Sequence, residues 1–405
     1  MQILEREIIK ALKVFINTRD VIVLHGARQV GKTSVMVYLI DELKAQGKNT
    51  LYIDLEDLRF VQLINNGYKN FIDYLEENNY LRKKMLYLFI DEIQYLDNPT
   101  NFLKIIHDHY SQKIKLFVSG SSSFEIKSKF KESLVGRTVN FELDPLNFKE
   151  FLLFKKSNID FNKKSFTKLT EEELKKHYTE YIIYGGYPRI VLEKNILKKE
   201  TLLQQIIDTY IRKDIKDLAN IKDIFKFNKL LEILASQTGN LLNVVELANT
   251  AKLTRPTVEN YLFLMQNTYI LKLLNPFSSN LRSELFKTPK IFFCDTGIAN
   301  LLWFKTFPKT IMGNIFETSV FSELLKNKNE HLFFWRTQDK KEIDFIIRKR
   351  QKIIPIEVKL TQAHFNYTSM KYFMGKYNIK QGICISMEID KRKNKNVVYK
   401  YPWEL

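Results

Sequence analysis

A chain of 405 residues, 45% apolar and 13% aromatic, is long enough for two or three domains and too apolar to remain disordered. Its two cysteines, Cys294 and Cys384, stand far apart with no CxxC and no Cys/His cluster, which excludes a disulfide framework and fits a reducing cytosol. The formal charge of +18 suggests a polyanionic partner such as nucleic acid, although a lysine-rich surface needs no ligand; half of the excess lies in Lys340–Leu405, with 15 Lys/Arg against 6 Asp/Glu.

The opening MQILEREIIKALKVFINTRD is charged and amphipathic, with no signal-peptide core, and no later stretch reaches about 18 apolar residues. The expectation is a soluble cytoplasmic protein with no membrane partner. Val21–Leu24 reads as a buried strand. The chain then turns through Gly26, Ala27, Arg28, Gln29, Val30 and Gly31 into a helix with apolar Val35, Met36, Leu39 and Ile40. This is GxxxxGK[ST] placed between a strand and a helix. Its glycines let backbone N–H groups curl around phosphates, and the helix dipole favours their charge. Lys32 is expected to reach the β- and γ-phosphates of ATP and Thr33 to bind Mg²⁺, with Ser34 in the same nucleotide-binding set.

Met85–Ile90 is an unbroken apolar run, as a buried parallel strand should be, and it ends in Asp91-Glu92. Asp91 is expected to hold Mg²⁺ and Glu92 to orient the attacking water. Thr50–Ile53, Lys115–Val118 and Thr138–Leu143 are further strands. Ser121, after the second of these, is a candidate γ-phosphate sensor; a serine-rich helix cap explains it equally well. Arg137 stands where an arginine finger could complete a neighbouring subunit's site, or it is a surface arginine. Strands alternating with helices predict an α/β doubly wound parallel sheet with ligand at the strand C-termini.

From Asp144 to about Leu230 the pattern is mainly helical. Val244–Thr250, a turn at Ala251-Lys252-Leu253, and a helix capped by Thr254 with Pro256 in its first turn give helix–turn–helix spacing. Were it to read DNA, Arg255, Thr257 and Asn260 would lead into the groove. Glu259 stands among them, so packing between domains is the stronger expectation.

In the last part Lys290–Phe293 is a strand, Gly313–Leu325 an amphipathic helix carrying Glu317, and Leu332–Trp335, Ile343–Ile347 and Ile353–Val358 are strands. A tight hairpin turning near Arg350 and Gln351 makes facing residue numbers sum to 701, so Asp344 faces Glu357 and Glu342 faces Lys359. Facing carboxylates repel unless a cation lies between them, and Mg²⁺ or Mn²⁺ would serve, with Lys359 stabilising phosphate charge. Cross-strand salt bridges, Glu342 with Lys359 and Lys359 with Asp344, are the plainer explanation. The basic tail with Lys391, Arg392, Lys393 and Lys395 could grip a nucleic-acid backbone or be a solvated charge run.

GARQVGKTS, LFIDEIQYLDN, FVSGSSSFEI, SLVGRTVNFELDPLNFKEF and YGGYPRIVL, in this order, resemble the prokaryotic AAA-type ATPases of the archaeal-ATPase/STAND-like group. The resemblance implies an ATPase domain (1–150), a helical lid (151–235), a winged helix (236–280) and a C-terminal domain of unknown function (281–405). It implies ATP binding through Lys32, Thr33, Asp91 and Glu92. Gly185, Gly186 and Pro188 match a GGxP element expected on the adenine side, with Arg189 a candidate second sensor. Asp344…Glu357-Val358-Lys359 with the upstream Glu317 resembles the PD-(D/E)XK nucleases, although Ile343 replaces the usual proline. The expectation is therefore an ATPase coupled to a nuclease-like domain that binds or cleaves DNA. The alternative is a STAND-like regulatory ATPase that switches a surface for a protein partner or for self-association, with an inactive nuclease fold.

Overall fold

The structure is a computed structural model that describes residues 4–82, 84–120, 134–160, 163, 165–218, 221, 223–278, 288–327, 331–350, 352–390 and 394–405. These form two compact units, residues 1–144 and 145–405.

The first unit is built on five parallel strands: β1 (Val21–His25), β2 (Asn49–Asp54), β3 (Leu86–Asp91), β4 (Ile114–Gly120) and β5 (Thr138–Glu142), ordered β2-β3-β4-β1-β5. β3 and β4 are buried throughout, which is why β3 is apolar without a break from Leu86 to Ile90 and β4 carries a continuous apolar stretch from Leu116 to Val118, rather than an alternating pattern. The helix Pro99–Tyr110 starts where it does because Asn98 accepts from the Asn101 N–H (3.1 Å) and Pro99, lacking an N–H, takes the first position. It packs Phe102, Leu103 and Ile106 into a core with Phe71, Leu75, Leu86 and Leu88. Full burial of each such side chain contributes about 1.5–3 kcal/mol. Since β4 lies between β1 and β3, the loop after β1 and the acids after β3 flank the tip of β4.

The second unit opens with the helix Phe148–Phe154, whose Phe148 and Phe151 rings pack edge-on against Tyr178 (4.8 Å) and Tyr181 (5.4 Å) of the helix Lys168–Tyr184. Further helices span Ile196–Thr209, Ile224–Ser236, Val244–Ala251 and Arg255–Asn267, with a π-helical stretch at Tyr210–Leu218. β6 (Leu271–Leu274) pairs antiparallel with β7 (Lys290–Phe293), so the expected winged-helix segment and the expected C-terminal domain share strands. After the helices Thr296–Phe304 and Gly313–Lys326 comes a mixed sheet: β8 (His331–Arg336), β9 (Glu342–Lys349), β10 (Lys352–Thr361), β11 (Gly382–Glu388) and β12 (Val397–Lys400), ordered β12-β11-β10-β9-β8. β9 runs antiparallel to both β8 and β10, while β10, β11 and β12 are parallel. β9 and β10 pair Lys349 with Lys352 through Phe345 with Ile356, the register expected from the hairpin, and Arg350 takes φ 54° at the turn. Among the described residues no helix is long and apolar enough to cross a membrane.

Gly185 and Gly186 belong to this unit's own packing. The Gly186 N–H donates to Asp295 Oδ2 (2.7 Å), and a Cβ on Gly186 would stand 2.4 Å from the Leu146 carbonyl oxygen. Their small size therefore has a packing cause without any ligand.

Candidate functional site

The phosphate loop is shaped by its own backbone. Gly31, at φ 101°, caps the helix Lys32–Ala45 in a left-handed conformation that other residues avoid. This turn aims the first N–H groups of the helix into the loop. Lys32 is buried, and its Nζ donates to the carbonyls of Gly26 (3.0 Å) and Ala27 (2.9 Å). Arg28 is half-buried, and Gln29, Thr33 and Ser34 are exposed.

The Thr33 hydroxyl donates to Asp91 Oδ2 at 2.6 Å, although 58 residues separate them. Two further hydroxyls converge on the same carboxylate. Tyr52 on β2 donates to Oδ2 (3.0 Å), and Ser119 at the tip of β4 donates to Oδ1. Burial, then the Asp91 charge, pushes the Tyr52 phenol well above its ordinary range. Glu92 follows in a left-handed backbone conformation (φ 56°), with Gln94 Nε2 donating to its Oε2. Ser121 lies outside the described residues. Ser119 and Tyr52 were not singled out from sequence. The signals were a serine ending an apolar strand and a polar ring within LYID. Arg137 donates from Nε to Asp108 Oδ1 (2.7 Å) and from a terminal nitrogen to Oδ2 (3.1 Å), which holds the Asp108 carboxyl well below the usual carboxylate range.

The second unit gathers four acids. Lys359 donates to Asp344 Oδ2 and Glu357 Oε2, both at 2.9 Å, and the Val358 N–H donates to Asp344 Oδ2 (2.8 Å). Glu342 does not pair with Lys359 as the plainer explanation had it. Lys290 draws it away (2.6 Å), with Arg336 beside it (3.1 Å), because the Lys290 ammonium is buried and must be answered by carboxylates. The same Lys290 Nζ reaches Glu317 Oε1 on the helix Gly313–Lys326 (3.0 Å). That helix is seated by Phe321 stacked on Phe292 (4.4 Å).

The electrostatics follow from crowding in a dry place. Burial, then the Asp344 charge, pushes Glu317 up to about 7 and Glu357 well above its ordinary value. Burial also opposes the Asp344 charge, but Lys359, Lys290 and the Val358 N–H outweigh it and hold Asp344 below the usual range. Lys290 could have been suspected as a charged residue opening the buried strand KIFF.

On the helix pair, Thr254 caps Arg255–Asn267 by accepting from the Thr257 N–H (3.3 Å). Arg255 Nε is bound to Glu259 Oε1 (2.8 Å), with both side chains exposed, so the acid offsets the leading base. Asn260 is exposed and Thr257 half-buried. Lys395 is exposed; Lys391, Arg392 and Lys393 lie outside the described residues.

Three family models match the chain: an AAA domain over residues 18–152, a domain of unknown function (DUF8612) over 175–308, and another (DUF4143) over 312–403. The chain is 30% identical over 358 residues to the uncharacterized protein MJ1544 of Methanocaldococcus jannaschii, covering 84% of this chain and 75% of that one. It is 28% identical over 352 residues to an uncharacterized protein of Haemophilus influenzae, covering 85% and 83%. Among solved structures it is similar to AMPPCP-bound DnaA from Aquifex aeolicus (16% identity, 64% of this chain and 86% of that one, TM-score 0.32). It is also similar to RuvB of Thermotoga maritima (18%, 67% and 89%, TM-score 0.35). The chain therefore belongs to the family of MJ1544, and its first unit is an AAA-type P-loop ATPase domain.

Proposed function

We propose that the first unit binds and hydrolyses Mg-ATP and that its nucleotide state governs the second unit. What carries this reading is the 2.6 Å contact between Thr33 and Asp91, which joins the phosphate loop to the acid pair. A hydroxyl and a carboxylate at one point are oxygen donors of the kind Mg²⁺ takes, so Thr33 and Asp91 fit the ion and would hold it. When bound, Mg²⁺ supplies neutralisation of phosphate charge. The chain's own residues do the rest. Lys32 leaves the Gly26 and Ala27 carbonyls for the β- and γ-phosphates, the loop N–H groups bind phosphate oxygens, and Glu92 orients water. Ser119, at the tip of β4, keeps Asp91 aimed. In this proposal Arg137 acts in a neighbouring subunit's site.

For the second unit, Lys290 separates two readings. Metal-dependent cleavage of DNA needs Glu317, Asp344 and Glu357 turned toward a cation. Lys359 belongs to such a site, but Lys290 does not, and it already neutralises the helix acid. The residues as arranged do not fit a second metal ion, and no cleavage step follows from them. This favours a regulatory ATPase with a catalytically silent nuclease-like fold. Arg255, Thr257 and Asn260, with Glu259 offsetting the one base among them, offer at most phosphate-backbone affinity for DNA.

The test is ATP hydrolysis together with plasmid cleavage in Mg²⁺ or Mn²⁺, for wild type, Lys32→Ala and Glu357→Ala/Lys359→Ala. The expected result is hydrolysis lost in Lys32→Ala and no cutting by any protein. Cutting by wild type that the double variant abolishes would restore the nuclease reading.

A further inference from the structure

The chain passes between its units at Asp144–Pro145, and side chains within each unit hold the backbone on either side of that point. On the first side stands Arg6, buried at 5% exposure. One terminal nitrogen donates to the Val30 carbonyl in the phosphate loop (2.8 Å), and the other donates to the Asp144 carbonyl (2.9 Å). The guanidinium is planar and rigid, so its two acceptors are held at a fixed separation. The Val30 carbonyl and the Gly31 N–H share one peptide plane. A grip on that oxygen therefore sets the direction of an N–H in the phosphate loop.

On the second side, the Leu146 carbonyl accepts from the Tyr181 hydroxyl (2.8 Å) and from Lys326 Nζ (3.0 Å). The Phe148 N–H donates to Glu323 Oε2 (3.0 Å). Glu323 and Lys326 sit on the helix Gly313–Lys326, whose first half carries Glu317. Between the two sets of anchors lie only the peptide bonds through Pro145, whose ring fixes its own φ.

We propose that Arg6 is a positioning residue for the phosphate loop and that it passes nucleotide occupancy to the connecting peptide, and so to the helix that bears Glu317. Phosphate turns the Val30–Gly31 peptide, Arg6 follows the oxygen, and the Asp144 carbonyl follows Arg6. The short connector delivers that displacement to Leu146 and Phe148, where Glu323 and Lys326 receive it. This rests on the reading that the first unit binds ATP.

Hydrogen exchange with and without AMPPCP and Mg²⁺ tests it, on the full chain, for wild type, Arg6→Met, Arg6→Lys and Glu323→Gln. In wild type, nucleotide is expected to protect the loop around Gly31 and to change exchange in residues 146–154 and 313–326. Arg6→Met should keep loop protection at about tenfold weaker nucleotide affinity, the loss of a charged hydrogen bond, and lose the distant change. Arg6→Lys restores the charge without the fork, and it should recover affinity more than the distant change. Glu323→Gln should bind nucleotide as wild type does and lose the change in 313–326 alone. A distant change that survives in a folded Arg6→Met protein overturns the route. So does loop protection in wild type with no distant change. Absence of loop protection in wild type removes the ATP reading itself and the coupling with it.

Discussion

Two clusters of charge in this chain are answered in different ways. In the first unit the Asp91 carboxylate is met by hydroxyls from Thr33, Tyr52 and Ser119, and Lys32 leans on two backbone carbonyls. In the second unit the carboxylates of Glu317, Glu342, Asp344 and Glu357 are met by the ammoniums of Lys290 and Lys359. A hydroxyl yields to a cation at little cost, since it can turn and become a ligand itself. An ammonium cannot, and removing it from a buried carboxylate leaves an unanswered charge. Side chains of the same kind are thus held by groups that can give way in one unit and by groups that cannot in the other.

The comparison breaks most visibly at Lys32. Lys32→Ala should lower ATP turnover by at least about a hundredfold, the scale for losing a group aimed at developing phosphate charge, with folding by circular dichroism unchanged. Next is Lys290→Met, which strands Glu317 in a buried place. It should cost about 3–5 kcal/mol in urea unfolding. The three tryptophans, Trp303, Trp335 and Trp403, all lie in the second unit, so their fluorescence reads that unit alone. A loss under about 1 kcal/mol, far below the scale for breaking a buried pair, would mean that Lys290 is dispensable and the cluster open to a metal ion after all.

Titration sharpens the contrast, because the two units should respond with opposite sign. Glu317 rises from 4.5 to about 7 on folding, so the native state holds more protons across that window. Its contribution is present below pH 4.5 and is lost as pH rises through 7. Glu317→Gln should flatten that slope in the tryptophan signal, measured in EDTA. Lys115 in the first unit falls from 10.5 to about 8, with burial as the cause, so the unfolded chain holds more protons between those values. Stability of the first unit should therefore rise from pH 8 to pH 10.5, read by far-ultraviolet circular dichroism, and Lys115→Met should abolish the rise. The smallest effect is at the helix cap: Thr254→Ala should cost about 1 kcal/mol of second-unit stability and leave ATP turnover alone.

How much was legible depends on distance along the chain. The phosphate loop is a short run whose spacing is its geometry, and the β9–β10 hairpin turns over so few residues that register arithmetic placed its pairs. Asp91 was readable because an apolar strand ended in it. Tyr52, Ser119 and Lys290 were not, since each finds its partner through strand order or a helix docked from elsewhere. Lys290 reaches Glu317 across 27 residues, and no local pattern says that a lysine opening KIFF will turn inward to meet it. The Glu342 pairing failed for the same reason: register alone put it opposite Lys359, and a lysine from another strand took it.

The second unit ties its first helices to its last residues. Tyr178 packs near Trp403 (6.1 Å), and Leu146 is held by Lys326. The five strands of the first unit's sheet are complete by Glu142. During synthesis, which proceeds N-terminus first, the nucleotide unit can close while more than half the chain is still unmade. The second unit must wait for Trp403. Under the proposed function, a nascent protein would be able to hold ATP before its acid cluster has formed.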